Sequence, residues 1–131
     1  MGSLMAILLD TNIVIHLIEG EPAMVDRLTN LPSRPCLSVV TLVEIMSGLS
    51  RGGAAPNLRA RTEALVSALT VLDFGREQVA CYDRIVIQLG YARNRVLDRM
   101  IAAQAIVAGA ALVTRNITDF RDIPGLTTES W

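Results

Sequence analysis

An apolar run near the start of the chain, Ala6–Leu9, leads directly into an acid, Asp10. A run that is apolar on both faces is typical of a central strand in a parallel sheet that helices cover on both sides. We therefore predict a first strand at residues 5–9. Ligands of open α/β sheets bind beyond the carboxyl ends of the strands, so Asp10 is expected at the edge where such a sheet carries its chemistry.

Strand and helix signals alternate along the rest of the chain. Further strands are predicted at residues 36–40, 71–73, 111–114 and 126–127, and helices at residues 13–20, 23–31, 42–49, 58–69, 77–91 and 97–108. This alternation predicts an α/β domain of three layers, in which helices flank a central, mainly parallel sheet of four or five short strands.

Polar residues predict where two of these helices begin. Asn12 is a candidate N-cap of the first helix, and Thr41 is a candidate N-cap of the third, with Glu44 placed as in a capping box. In the helix at residues 77–91, Val79 is expected to face the core together with the other apolar residues at helical spacing. Those residues are Tyr82, Ile85, Val86 and Leu89.

The length of 131 residues fits one domain with one core. We expect residues 5–131 to form this domain, and residues 1–4, which precede a second methionine, to be an added leader. Apolar residues make up 51% of the chain, but none of their runs approaches the roughly 18 residues of a membrane span. A cytoplasmic location without membrane contact is therefore expected, with Cys36 and Cys81 as free thiols.

The charge of the chain limits its chemistry. A net charge of −1 argues against a surface that clamps nucleic acid as a whole. All 12 basic residues are arginine, which excludes every mechanism that needs a lysine. Contacts to phosphate must therefore come from guanidinium groups, backbone N–H groups or a metal ion.

Four acids are placed where parallel strands and helix starts meet. Asp10 follows the first strand and Asp119 follows the fourth, whereas Glu44 and Asp98 lie near helix starts, where a carboxylate is favoured even without a function. Clustered carboxylates repel one another unless a cation neutralises them. Oxygen ligands alone suit Mg²⁺ or Mn²⁺, and such a site predicts metal-dependent hydrolysis of a phosphodiester.

Other α/β enzymes are excluded by specific residues. The chain has neither the glycine pattern of a dinucleotide site nor that of a P-loop. A receiver domain and a dehalogenase-type phosphatase each require a lysine, and the phosphatase also requires an acid at the position of Asn12.

Residues 9–12, 38–44, 98–103 and 112–120 read LDTN, SVVTLVE, DRMIAA and LVTRNITDF, and residues 124–126, which follow the last block, read PGL. Together these four blocks resemble the PIN-domain family, in its branch of VapC- and FitB-like toxins. The blocks occur in the family's order and at family-like spacing, and the resemblance covers residues 5–131.

This resemblance implies a metal-dependent ribonuclease, the toxin of a toxin–antitoxin pair, that uses Mg²⁺ or Mn²⁺. The implied catalytic and metal-binding residues are Asp10, Glu44, Asp98 and Asp119, and the implied orienting residues are Thr11, Asn12, Thr114, Arg115 and Asn116. Asn116 stands where many family members carry an acid, so either Asn116 or Asp119 completes the set. Arg115 has two interpretations, a phosphate contact or an ion pair.

The resemblance also implies partners. These are a homodimer, a cognate VapB-like antitoxin whose apolar helix and tail enter a groove, and an RNA substrate, for which transfer RNA is one candidate. A higher assembly of toxin, antitoxin and operator DNA is a further expectation. Arg93, Arg95 and Arg99 form either a solvated face or a contact to the RNA backbone, with Arg99 pointing outward.

Two other functions stay open at this stage. One is a catalytically idle PIN-like module that binds DNA together with a partner protein. The other is a metal-dependent phosphatase or DNA nuclease that uses the same acids.

Overall fold

The computed structural model describes residues 5–51 and 56–131, and the expected leader lies outside these ranges. Five parallel strands form one sheet in the order β3-β2-β1-β4-β5. The strands are β1 (Ala6–Leu9), β2 (Cys36–Ser38), β3 (Thr70–Leu72), β4 (Ala110–Thr114) and β5 (Thr127–Ser130). The predicted parallel α/β sheet is confirmed.

Helices fill the connections between the strands. They are α1 (Thr11–Ile18), α2 (Pro22–Thr29), α3 (Val39–Ser50), α4 (Pro56–Ser67), α5 (Arg76–Leu89) and α6 (Val96–Ala108), with short 3₁₀ turns at Arg93–Arg95 and Ile117–Asp119. No helix within residues 5–51 and 56–131 is long and apolar enough to cross a membrane.

The sheet is buried on both faces. Leu8 and Leu112 belong to a cluster with residues of α5 and α6, whereas Leu9 and Val113 belong to a second cluster with residues of α1 and α3. Successive side chains of a strand point to opposite faces, so each central strand needs apolar residues at every position. This requirement explains why the apolar run Ala6–Leu9 continues without a polar residue up to Asp10.

Helix α6 lies close against the sheet because its buried face is built from small residues. Ala102, Ala103 and Ala105 are fully buried there, next to the larger Ile101. The helix ends at Gly109, which adopts the left-handed conformation that glycine tolerates best. Close packing of α6 sets the position of its first turn, which carries Asp98.

Both predicted N-caps are wrong. The side chain of Asp10 caps α1, accepting a hydrogen bond from the Thr11 N–H at 2.8 Å. Ser38 caps α3, accepting from the Val40 N–H at 2.9 Å, so the predicted second strand is two residues shorter and Thr41 lies inside the helix. Serine and threonine are both good caps, and the valines between them suit a strand or a helix.

The prediction for Val79 is also wrong, since its side chain is 54% exposed. The buried face of α5, which packs against α6, is centred on Cys81 and Ile85, which are one helical turn apart. Both cysteines are free thiols, with Cys81 buried and Cys36 half-buried.

Candidate active site

Asp10 begins the site at the carboxyl ends of β1 and β4. Its N–H donates to the Val113 carbonyl at 2.9 Å, which extends the pairing of the two strands by one residue. Its carboxylate is only 5% exposed and accepts from the Thr11 N–H and from Thr114 Oγ1, each at 2.8 Å. The two donors fix the orientation of both carboxylate oxygens.

A polar cavity of about 420 Å³ opens beside Asp10. All four acids singled out by the sequence line this cavity, which we call the acidic cavity: Asp10, Glu44, Asp98 and Asp119. Thr11, Asn12 and Asn116 also line it, whereas Thr114 acts through its hydrogen bond to Asp10. The fold therefore brings together residues that are more than 100 positions apart, and their roles in metal binding and catalysis stay predictions.

Glu44 is oriented by a pair of threonines. Thr11 Oγ1 donates to Glu44 Oε1 at 3.1 Å and lies 2.8 Å from Thr41 Oγ1. Because a hydroxyl has one hydrogen, Thr41 must donate to Thr11 when Thr11 donates to Glu44. Sequence reasoning missed this role of Thr41, although its spacing of three residues from Glu44 places both on one face of α3.

The acidic cavity concentrates negative charge. Burial raises the pKa of Asp10, and the hydrogen bonds from Thr114 and Thr11 only partly offset it. Burial also raises the pKa of Asp98, and the charges of Asp10, Asp119 and Glu44 raise it further against the opposing charge of Arg95. The four carboxylates thus repel one another within one cavity.

The donor set fits a hydrated divalent cation. Among the described residues, no three acidic, histidine or cysteine side chains are close enough to form a closed cation cage. Mg²⁺ does not require such a cage, because it keeps several waters and takes one or two carboxylates from the protein. Mutually repelling carboxylates, of which Asp10 and Asp98 have raised pKa values, are the arrangement that such an ion would neutralise.

The segment after β4 brings to the acidic cavity the two residues that are candidates for completing the set of site residues. The Asn116 N–H donates to Thr114 Oγ1 at 3.0 Å, and Asp119 ends the following 3₁₀ turn. Arg95 Nη1 donates to the Asp119 carbonyl at 2.9 Å and lies 3.5 Å from Asp119 Oδ1. Both Asn116 and Asp119 line the acidic cavity, so either could complete the set of acids and amides.

Arg115 does not line the acidic cavity. Its guanidinium forms an ion pair with Glu21, and its Nη1 lies 3.3 Å from His16 Nε2. His16 Nδ1 is in turn 2.9 Å from Glu21 Oε2. Of the two interpretations of Arg115, the structure shows the ion pair, which ties the segment after β4 to the turn between α1 and α2.

The three arginines at residues 93–99 have different surroundings. The prediction that Arg99 points outward is wrong: it is 7% exposed, and its Nη1 donates to the Gly90 carbonyl at 2.6 Å. Arg95 is engaged with Asp119. Arg93 is exposed and lines the acidic cavity. A charge run in the sequence does not reveal such differences, because each depends on the partner that the fold supplies.

A second, apolar cavity of about 380 Å³ adjoins the first between α1, α3 and α4. We call it the apolar groove. It shares Thr11 and Glu44 with the acidic cavity, and its other lining residues are Ile15, Ile18, Glu19, Ile45, Gly48, Leu49, Leu58 and Thr62. An apolar surface thus leads directly to the acids.

Comparisons with known proteins agree with this geometry. The model of the PIN domain matches residues 7–126, and the chain therefore belongs to the PIN domain family. Within the family its similarity is to VapC: it is 34% identical over 127 residues to the tRNA(fMet)-specific endonuclease VapC of Salmonella typhimurium, covering 95% of this chain and 96% of that protein.

Solved structures give the same result. VapBC2 from Rickettsia felis, bound to a DNA fragment from its promoter, matches with a TM-score of 0.86 and 28% identity over 97% of this chain and 99% of that one. DNA-bound VapBC from Salmonella typhimurium also matches with a TM-score of 0.86, at 31% identity over 98% and 99% of the two chains. The predicted resemblance to VapC-like toxins is confirmed.

Proposed function

We propose that this chain is the toxin of a VapBC-type toxin–antitoxin pair and acts as a Mg²⁺- or Mn²⁺-dependent endoribonuclease. The observation that carries the proposal is the acidic cavity, in which four carboxylates from distant segments converge at the carboxyl ends of β1 and β4. Transfer RNA is the substrate class that we propose, since the Salmonella relative is named as a tRNA(fMet)-specific endonuclease.

In this proposal, Asp10 and Asp98 are the residues that would hold the ion. Thr11 and Thr114 fix the Asp10 carboxylate, so that its remaining acceptor positions are directed to the cavity. A bound divalent ion supplies an activated water and stabilises charge on the leaving oxygen of a phosphodiester. The acids that need not bind it directly, Glu44 and Asp119, hold a second ion or orient the attacking water.

Glu44 is suited to orient a water molecule. Thr11 donates to Glu44 Oε1, while Glu44 Oε2 has no hydrogen-bond partner among the described residues. A carboxylate held at one oxygen by a hydroxyl keeps its orientation and leaves the other oxygen for a water. We therefore assign to Glu44 the orientation of the water, in line with its position between the acidic cavity and the apolar groove.

Cleavage of RNA by the Asp10→Asn variant tests this function. We expect the cleavage rate of this variant with Mg²⁺ to fall more than roughly 100-fold. Loss of a residue that only orients a metal ligand costs about 10- to 100-fold, and loss of the ligand itself should cost more. Asp83→Asn, which changes an exposed acid on α5, is the matched control and should cleave like the wild type. Chelation by EDTA should stop the wild type. Full cleavage by Asp10→Asn in a nuclease-free preparation would contradict the proposal. Parallel assays with DNA and with a phosphomonoester test the alternatives of a DNA nuclease and a phosphatase.

The proposed inhibitor is a VapB-like antitoxin. An apolar groove beside an acidic cavity suits an amphipathic helix that lays its apolar face in the groove and extends a cationic residue toward the acids. The matching structures are VapBC complexes with DNA, which supports an assembly of toxin, antitoxin and operator DNA.

We also propose a homodimer and a cytoplasmic location. Val43 on α3 and Leu97 on α6 are 61% and 46% exposed, and they lie together at a surface cavity with Met100. Exposed apolar residues that cluster in this way favour association. Sedimentation at several protein concentrations checks the dimer.

One observation favours a second candidate function, a catalytically idle module that binds DNA with its partner. Asn116 stands at the position where many family members carry an acid. Calorimetric titration with Mn²⁺, together with cleavage of a pooled RNA, separates the two candidates, because the idle module would show neither binding nor cleavage.

A further inference from the structure

The acidic cavity poses an electrostatic problem for the proposed substrate. Its four carboxylates face a polyanion, and a single divalent ion offsets only two of their charges. Binding of RNA therefore requires cationic groups near the cavity mouth. Because the chain has no lysine, those groups are arginines, whose planar guanidinium can hold a phosphate with two parallel hydrogen bonds.

Only one arginine lines the acidic cavity within the described residues, and that residue is Arg93. Its neighbours are engaged elsewhere: Arg95 with Asp119, and Arg99 with the Gly90 carbonyl. Arg93 itself is exposed and has neither an ion pair nor a side-chain hydrogen bond in residues 5–51 and 56–131. Its guanidinium is therefore free to bind a phosphate from solution.

The backbone around Arg93 is held in place. The 3₁₀ turn Arg93–Arg95 is closed by the Arg95 N–H donating to the Ala92 carbonyl at 3.0 Å. The same Arg95 binds Asp119, and α6, which carries Asp98, begins at the next residue. The backbone of the turn is thus fixed relative to two of the four acids, which keeps Arg93 at the mouth of the acidic cavity.

Resting on the proposed function, we propose that Arg93 binds a backbone phosphate of the RNA substrate at the mouth of the acidic cavity, outside the metal-binding set. Arg95 and Arg99 then have structural roles, through their hydrogen bonds to the Asp119 and Gly90 carbonyls, and do not contact RNA. This assignment divides the arginine run of the sequence into one binding residue and two structural residues.

Salt-dependent binding of a short single-stranded RNA tests the assignment. The measurement uses the Asp10→Asn protein, in which RNA stays uncleaved, with fluorescence anisotropy between about 50 and 200 mM salt. The variants compared are Arg93→Ala and Arg34→Ala. Arg34 is also an exposed arginine, and it lies two residues before β2, at the amino ends of the parallel strands and away from the acidic cavity, so it is the matched control.

One phosphate contact to a single strand contributes about 0.7 to the slope of log affinity against log salt. We expect Arg93→Ala to reduce this slope by about 0.7 and to weaken binding about fivefold near 0.1 M salt. Arg34→Ala should leave both values unchanged, and Arg93→Lys should restore most of the slope. Circular dichroism of each variant confirms that its fold is intact.

The outcomes separate the two proposals. If the Asp10→Asn protein binds RNA but Arg93→Ala matches Arg34→Ala, the assignment of Arg93 is overturned while the proposed function stands. If Arg93→Ala instead weakens only the binding of an antitoxin, the assignment to RNA is equally overturned. If neither the Asp10→Asn protein nor the wild type binds RNA even at low salt, the assignment and the proposed function fall together.

Discussion

Within residues 5–51 and 56–131, the buried carboxylate of Asp10 accepts two hydrogen bonds, from the Thr11 N–H and the Thr114 hydroxyl. An ionised carboxylate can accept about four hydrogen bonds. The remaining acceptor positions of Asp10 are directed to the acidic cavity. Asp98 lines the same cavity, so both carboxylates call for a counter-ion there. Such an arrangement costs stability in the free protein and is characteristic of a functional site.

At the residue scale, we predict that Asp10→Asn stabilises the protein in EDTA at neutral pH, by about 1 kcal/mol or roughly 3–5 °C in Tm. Burial raises the pKa of Asp10 in the folded state, so the folded state binds this proton more tightly than the unfolded chain. The cost of ionised Asp10 is therefore absent below the unfolded pKa and complete above the raised, folded pKa.

Thermal melts in EDTA at several pH values check this prediction. The Tm difference between Asp10→Asn and the wild type should shrink as the pH falls from neutral toward the ordinary pKa of an aspartate. A difference that grows on acidification would show that ionised Asp10 stabilises the fold, contrary to the expectation.

A second prediction at this scale concerns Thr114. Thr114→Val keeps the shape of the side chain but removes the donor to Asp10 Oδ2 and the acceptor of the Asn116 N–H. We expect Mn²⁺ binding to weaken about tenfold, as is usual for partners that orient a metal ligand. Calorimetry measures the affinity, with Thr127→Val, at an exposed position of β5, as the control. Equal affinities in the two variants would remove Thr114 from the site.

At the scale of elements, one buried pair joins the two helices that carry Glu44 and Asp98. Ser38 Oγ caps α3 and donates to Gln104 Oε1 on α6. Gln104 Nε2 donates to the carbonyls of Leu72 at 3.0 Å and Asp73 at 3.1 Å, at the end of β3. Two helices and an edge strand are thus fixed to one another, and the two helices are those that carry Glu44 and Asp98.

We predict that Ser38→Ala lowers the free energy of unfolding by about 2–3 kcal/mol, because it removes a cap worth about 1 kcal/mol and leaves the buried Gln104 oxygen without its donor. Ser47→Ala, which removes an exposed hydroxyl bonded within α3, should change it by less than about 0.5 kcal/mol. Urea unfolding measures both. Equal effects would mean that the pair does not couple α3 to α6.

At the scale of the whole molecule, the apolar groove and the acidic cavity form one continuous surface through Thr11 and Glu44. A partner in the groove would therefore lie against the acids without any change in the fold. Inhibition by the proposed antitoxin requires only that its helix cover this surface.

Gly48 allows this idea to be tested. A Cβ built at Gly48 meets no atom within 4 Å, and the residue lies within α3 and lines the groove. Gly48→Ala should stabilise the toxin by about 0.5–1 kcal/mol through helix propensity. Gly48→Leu should fill part of the groove and weaken antitoxin binding at least tenfold while RNA cleavage is retained. Unchanged antitoxin affinity in Gly48→Leu would place the antitoxin elsewhere.

The sequence by itself determined the parallel α/β fold, the order of its elements and the family. Apolar runs and helical spacing are local signals, because each element must bury a face wherever it lies in the sheet. The convergence of Asp10, Glu44, Asp98 and Asp119 also followed, since strand ends and helix starts of a parallel sheet meet at one edge.

Only the tertiary structure decided which polar groups pair. Ser38 rather than Thr41 caps α3, and Arg115 binds Glu21. Arg99 is buried, whereas Arg93 has no partner in the part of the chain that the structure describes. The partners of these side chains come from other segments, and a flexible side chain has no periodicity that reveals its partner. Residue type and spacing in the sequence determine on which element a polar side chain lies. The packing of the whole chain determines which partner that side chain binds.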